Sequence, residues 1–331
     1  MLGGSNILVQ AGINPGYSGA FIRALEATSN DWTRISSERP SQRRTETVPI
    51  TGRPPAVRQW TGTRQTGTAL EKSKTITHLK FETSVEVEKD TLDDDQSGDM
   101  QKVIGSLGTR IGNYPNKVVF GDLIDNAEVT TSRFGASWES TSAAFLDTDH
   151  SYTGGVYTTS QDNDLTFAAA TGTLPTLSEL QGGVQQAQSA ILGMKDDQGE
   201  PYWEGNPPQR WILVVPPAYA QVAKQFAQSA NVPAYGMTGV AADNVLRGSV
   251  EVIVNLYTSA STKIWVIAEA GGEARPFGIS MRRGVRLQAV RSTPGTNDRT
   301  TFDTDIEAYG ADIRLEGFYG EFQSICLLTV T

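Results

Sequence analysis

Three groups of residues are of types that do chemistry. Asp147-Thr148-Asp149-His150 joins carboxylates to an imidazole. That is a common metal-ligand set, and a bound metal would make a metal-dependent hydrolase possible. Three ligands within four residues rarely converge on one ion, however, and a turn closed by Asx hydrogen bonds explains the same residues. The run Asp93-Asp94-Asp95-Gln96-Ser97-Gly98-Asp99 has the look of a calcium loop. Its twelfth position, which should hold a bidentate Glu, is Ile104. The run reads instead as negative charge at a helix N-terminus, where the helix dipole favours it. The third group is basic. Arg53, Arg58 and Arg64 flank Trp60, with no acidic residue until Glu71. Trp and Arg are the residue types most often found at interface hot spots.

Other chemistry has no foothold. Nucleophilic catalysis needs a base beside a nucleophile, and the chain offers two histidines, one cysteine and no G-x-S-x-G. No G-x-x-x-x-G-K-[ST] phosphate loop occurs. One cysteine, Cys326, cannot close an intrachain disulfide or build a Cys-based metal site, and its apolar surroundings predict burial. No cofactor is expected.

The elements that must position these groups follow from periodicity. Leu79, Phe81, Val85 and Val87 alternate with Lys80, Glu82, Glu86 and Glu88, which predicts a strand over 76–92 with one wet face. Met100, Val103, Ile104, Leu107, Ile111, Tyr114 and Val118 recur at three and four, which predicts a helix over 97–125. Pro115 should kink or divide it. Residues 51–75, with Gly62 and Gly67 among threonines, suit an extended hairpin. Residues 126–175 are long, irregular and rich in Ser, Thr and Gly, a pattern more often functional or interfacial than core. Thr176 and Glu179 form a capping box, opening a helix with Leu180, Val184, Ala187 and Ile191 on one face. Trp211 to Val215 is apolar on both faces and predicts a buried strand. Pro216-Pro217 should start the next helix, with Ala218, Val222 and Phe226 inward. Strands are expected at 250–256, 263–268, 276–282, 285–290, 303–313 and 324–330.

Charge is unevenly spread. The net charge of -9 argues against a dedicated DNA-binding domain. Residues 1–64 nevertheless carry eight Arg and no Lys against four Asp/Glu, so +4, and the remainder is therefore -13. A basic arm on an acidic body points to arm-to-body contact, within or between subunits. Residues 36–47 are polar and Pro-broken, extended or disordered by composition. Neither a secretory leader nor a run near the ~20 apolar residues of a membrane span is visible, which predicts cytoplasmic synthesis.

The runs A-V-R-Q-W-T-G-T-R (56–64) and L-K-F-E-T-S-V-E-V-E-K-D-T-L-D-D-D-Q-S-G-D (79–99) resemble the major head subunit family of Mu-like tailed phages. A segment ending in Asp147-Thr148-Asp149-His150, and Arg275-Pro-Phe-Gly-Ile-Ser-Met-Arg282, are similar to it in order. The resemblance covers about residues 50–330. It implies an α+β fold of the Hong Kong 97 capsid type. Residues 1–50 would be an N-terminal arm and 51–75 an extended loop. Residues 76–175 would form a peripheral domain with a spine helix, 176–274 an axial domain, and 275–331 strands returning to the peripheral domain. The implied function is structural: a virion subunit, made in the host cytoplasm, that assembles with itself as hexamers and pentamers around double-stranded DNA held non-specifically. A separate scaffolding protein, a portal protein and a decoration protein are implied partners. Intersubunit contact is expected at Arg53, Arg58, Trp60 and Arg64 of the loop and at Asp93, Asp94 and Asp95 of a neighbour. Two other functions are compatible with the residues alone. One is an encapsulin-like compartment shell, told apart by the nucleic-acid content of particles. The other is the hydrolase at Asp147, Asp149 and His150, told apart by metal analysis.

Overall fold

The computed structural model describes residues 8–10, 13–62, 66–67, 69–95, 97–140, 142–169, 174–233, 241–269, 274–290 and 306–331. A short strand, β1 (Leu8–Val9), precedes helix α1 (Pro15–Glu26). Asn14 caps α1 by accepting from the Gly16 N–H at 2.8 Å, and Pro15 sits in the first turn, where a missing N–H does no harm. One helical turn, α2 (Trp32–Ile35), leads into β2 (Ser36–Pro40). β3 (Thr45–Thr51) and β4 (Glu71–Thr77) form an antiparallel stem, and β5 (Leu79–Glu88) follows directly. A short α3 (Lys89–Asp93) ends at the acidic turn. The spine runs as α4 (Asp99–Gly112), α5 (Tyr114–Lys117) and a π-helical turn at Val118–Leu123. Then come β6 (Asp164–Phe167), α6 (Leu177–Gly193), β7 (Arg210–Val215), a 3-10 turn at Pro217–Tyr219 and α7 (Ala220–Gln228). A small hairpin, β8 (Asn231–Pro233) with β9 (Ala241–Asp243), precedes β10 (Val250–Val254) and β11 (Lys263–Glu269). The last strands are β12 (Phe277–Val290), β13 (Ile306–Tyr319) and β14 (Ile325–Val330).

Two five-stranded sheets organise these elements. In the first, the order is β1-β12-β13-β5, with β2 also paired to β12. The long antiparallel β12–β13 pair shifts register between Met281 and Arg283 and again between Arg283 and Arg286. The two segments expected at 276–282 and 285–290 are therefore one bent strand. The second sheet has the order β10-β7-β11-β14-β6. β7 lies inside it with Trp211 to Val215 all buried, as its two apolar faces require. Helix α6 packs on β14 and β11 of this sheet, and α7 packs on β10 and β7.

The spine splits where expected. Pro115 has no N–H to donate, and the helical path breaks at Asn113 and resumes through the wider π turn. The spine's inner face carries Ile104, Leu107, Ile111 and Val118 with Gly105, Gly108 and Gly112 between them. Those glycines admit α1. A Cβ at Gly108 would lie 2.5 Å from the Phe21 carbonyl oxygen, closer than any side chain tolerates.

Several segments differ from their sequence expectations. Residues 1–50 are not an arm apart from the body, because Phe21, Leu25, Trp32 and Ile35 are buried in the main core. Asn116 of the spine holds it further: its Nδ2 donates to the Ser29 carbonyl and its Oδ1 accepts from the Trp32 N–H. Residues 126–169 have little regular structure, yet Phe134, Phe145, Leu146 and Tyr152 lie in the core, with Phe145 stacked on Tyr319 at 4.5 Å. Ala218 is exposed, and Tyr219 takes the inward place. The terminal strand β14 leaves the sheet of β12 and β13 and pairs with β11 and β6. Residues 303–305 of the expected strand at 303–313 lie outside the described residues.

Candidate functional site: the basic finger and its anchors

β3 and β4 pair from Thr45↔Thr77 to Thr51↔Glu71 and raise a finger whose described residues beyond the stem have no regular structure. Val48 and Ile76 close the stem over Phe318. Gly62 adopts a φ of 101°, a left-handed conformation that glycine takes without strain. Val57 is fully exposed and Trp60 is 65% exposed. Two large apolar side chains on an extension flanked by arginine form a surface suited to a partner. Arg64 lies outside the described residues.

The finger's root is tied to its own subunit. The Arg53 N–H donates to Asp197 Oδ1 at 2.7 Å, its Nη2 donates to the Tyr202 carbonyl at 3.3 Å, and its guanidinium lies 5.0 Å from the Tyr202 ring centroid. Gly52 permits this approach, since a Cβ there would collide with the Asp197 carboxylate. On the other side of the stem, Lys72 Nζ donates to the Glu139 carbonyl at 2.6 Å and Lys74 Nζ to the Ala136 carbonyl at 3.3 Å. Burial pulls the Lys74 ammonium down to about 8, with Glu139 opposing that shift. Among the expected contact residues, Arg53 thus faces its own chain, while Trp60 projects outward.

The acidic turn is a helix start. Asp95 accepts the Asp99 N–H through Oδ1 at 3.1 Å and the Met100 N–H through Oδ2 at 3.0 Å, while Gly98 takes the left-handed position at φ 73°. These backbone bonds, that from Met100 foremost, hold the Asp95 carboxyl below its ordinary range. Asp94 is exposed, Asp95 is half-buried, and the Asp93 side chain lies outside what is described.

Asp147, Asp149 and His150 do not converge. Asp147 Oδ2 accepts the Ala144 N–H and its Oδ1 accepts the Asp149 N–H, the Asx turn that the sequence allowed. His150 is fully buried and bonds neither aspartate side chain. Its Nδ1 bonds Glu139, its Nε2 meets Asn163 Oδ1 at 2.9 Å, and its ring stacks on Phe322 at 4.1 Å. Glu139 and Asn163 carried no local sequence signal, because their partner lies 11 and 13 residues away in an irregular segment.

An α+β subunit with a long split spine, two sheets and a projecting stem is the Hong Kong 97-type capsid fold. Solved structures show the same likeness. The capsid structure of the cyanophage P-SCSP1u aligns with a TM-score of 0.56 at 11% identity, over 91% of this chain and 88% of that one. The capsid of bacteriophage JBD30 gives 0.51 at 14% identity, over 96% and 73%. A virus-like particle from Pyrococcus furiosus gives 0.52 at 10% identity, over 94% and 96%. No curated protein sequence matches the chain. The family model described as "Mu-like prophage major head subunit gpT" matches residues 11–175, and the chain belongs to that family. It is accordingly a phage major capsid protein, a structural component of the virion rather than an enzyme. Among the described residues no helix is long and apolar enough to cross a membrane.

Proposed function

We propose that this subunit builds an icosahedral head from hexamers and pentamers, and that its finger is the element that links neighbours. The observation that carries this is the exposure of Trp60 and Val57 at the end of a stem whose root is clamped by Asp197, Glu139 and Ala136. A clamped root holds the finger's direction, so the contact area is preorganised rather than ordered at a cost on binding. Arg58 and Arg64 with Trp60 meet acidic surface of the next copy, with Asp93, Asp94 and Asp95 as the expected partners. Asp95 contributes field more than direct bonding, since its oxygens already cap α4. Arg53 acts at the root instead.

Each exposed ion pair contributes only ~0.2–1 kcal/mol, but a closed shell repeats it at every interface. The shell holds double-stranded DNA without sequence recognition. A separate scaffolding protein directs assembly, a portal protein replaces one pentamer, and a decoration protein is a further candidate partner. Synthesis takes place in the host cytoplasm. Arg58→Glu with Arg64→Glu tests the finger's role: particle yield should collapse while circular dichroism and thermal melting of the subunit stay unchanged. Normal particles from that variant would remove the finger from the interface. Nucleic acid inside purified particles supports the phage head, and a protein cargo would favour a compartment shell.

A further inference from the structure

A cleft of about 400 Å³ opens beside the finger's root, walled by Trp138, Tyr152, Tyr202 and Trp203. Four carboxylates line it: Asp196, Asp197, Glu204 and Glu321. Two of them are already engaged. Asp196 Oδ1 accepts the Gln198 and Glu200 N–H groups, and Asp197 accepts from Arg53 and from Gln198 Nε2. Glu204 is exposed. Glu321 is different. Its carboxylate makes no hydrogen bond or ion pair with a described residue, although its backbone is fully engaged with Arg275 and Ser324. Burial and the charge of Glu139 push its carboxyl up to about 7, and the Arg53 charge only partly offsets them.

Gln323 supplies an independent sign of a missing donor. It is 1% exposed and lines the same cleft. Its Nε2 donates to Tyr152 Oη at 2.5 Å, and Tyr152 Oη uses its one proton on the Lys195 carbonyl at 2.9 Å. With its nitrogen on Tyr152, Gln323 Oε1 is left buried with no donor among the described residues. A buried acceptor without a partner costs on the order of 1–3 kcal/mol, which a donor entering the cleft would relieve.

We propose that this cleft binds a guanidinium or primary ammonium group, from a free polyamine or from an Arg or Lys side chain of a neighbouring copy. Such a group offers several N–H donors to Glu321 and Gln323 and presents its charge to aromatic faces. The Arg53 guanidinium beside the Tyr202 ring shows one cation already held by this wall. A hard metal ion fits poorly, since it needs six or more oxygens and gains nothing from aromatic walls.

Isothermal titration of dissociated full-length subunits with agmatine, which carries both a guanidinium and an ammonium, tests this. Saturable binding is expected, weakened at least tenfold by Glu321→Gln and by Gln323→Leu and unchanged by the surface control Glu86→Gln. Glu321→Gln keeps the side-chain shape, and its intact melt separates lost binding from lost fold. Absence of saturable binding, or equal affinity in Glu321→Gln, overturns the proposal. Repeating the titration on assembled particles distinguishes the sources. Binding that persists assigns the cleft to a free cation, and binding that disappears assigns it to a neighbour's side chain. The second assignment rests on the shell function, whereas agmatine binding to the dissociated subunit does not.

Discussion

The Arg53 backbone N–H donates to the Asp197 carboxylate across 144 positions of sequence, joining the finger's root to the turn that follows α6. This bond and the absent Cβ of Gly52 set the direction in which the finger leaves the subunit. Asp197→Ala leaves that N–H and the Gln198 amide without an acceptor. A stability loss of ~1–3 kcal/mol is expected, with faster proteolysis within residues 52–70. A finger cleaved no faster than in the wild type would show that the stem alone holds it.

The N-terminal segment should be indispensable to the fold. Trp32 is fully buried, and its backbone N–H bonds Asn116 of the spine. Trp32→Ala should cost ~3–5 kcal/mol by urea denaturation. Deletion of residues 1–45 should abolish a cooperative melt, because it uncovers the glycine face of α4. A truncated chain that melts cooperatively would show that α1 only rests on the core.

His150 is a structural group. His150→Leu takes one hydrogen-bond partner from the buried Glu139, leaving it the Ser137 hydroxyl, and should cost ~1–3 kcal/mol. Replacing both groups by amides, with Glu139→Gln and His150→Gln, should recover part of that loss. Asp147→Ala with Asp149→Ala should lower stability by only ~1–2 kcal/mol and leave particles that form. Stoichiometric metal in the wild type, released by the double change, would reverse this assignment.

Stability should vary with pH through two groups near the stem. Glu321 keeps its proton to about 7 when folded, against 4.5 ordinarily. Its contribution is full below 4.5 and is lost as pH rises to 7, because the unfolded chain releases that proton first. Lys74 loses its proton near 8 when folded, against 10.5 ordinarily, so stability recovers between those values. Melting temperature should therefore pass through a minimum between pH 7 and 8. Glu321→Gln should lessen the fall on the acid side, which Asp164 shares, and Lys74→Met the rise on the alkaline side. A wild-type melt that is level from pH 5 to 10 would contradict both.

What could be read from sequence was what neighbouring residues dictate. The alternation in β5, the Thr176–Glu179 capping box of α6, the apolar run of β7 and the break near Pro115 each needed only a short window. Pairings at long range left no such trace. Gly105, Gly108 and Gly112 read as weak helix residues until α1 lies against them. The Glu139–His150–Asn163 network spans an irregular stretch with no periodicity. β14 looked like its predecessors, and only its register with β11 shows the change of sheet. Arg53 shares its residue type with Arg58, and nothing local reveals that it serves the root.

Electron microscopy of the purified full-length protein, alone and with candidate scaffolding protein across a range of salt, tests the shell function most directly. Closed particles, or rings of five and six subunits, are expected. A lone 35.7 kDa species under every condition would contradict it.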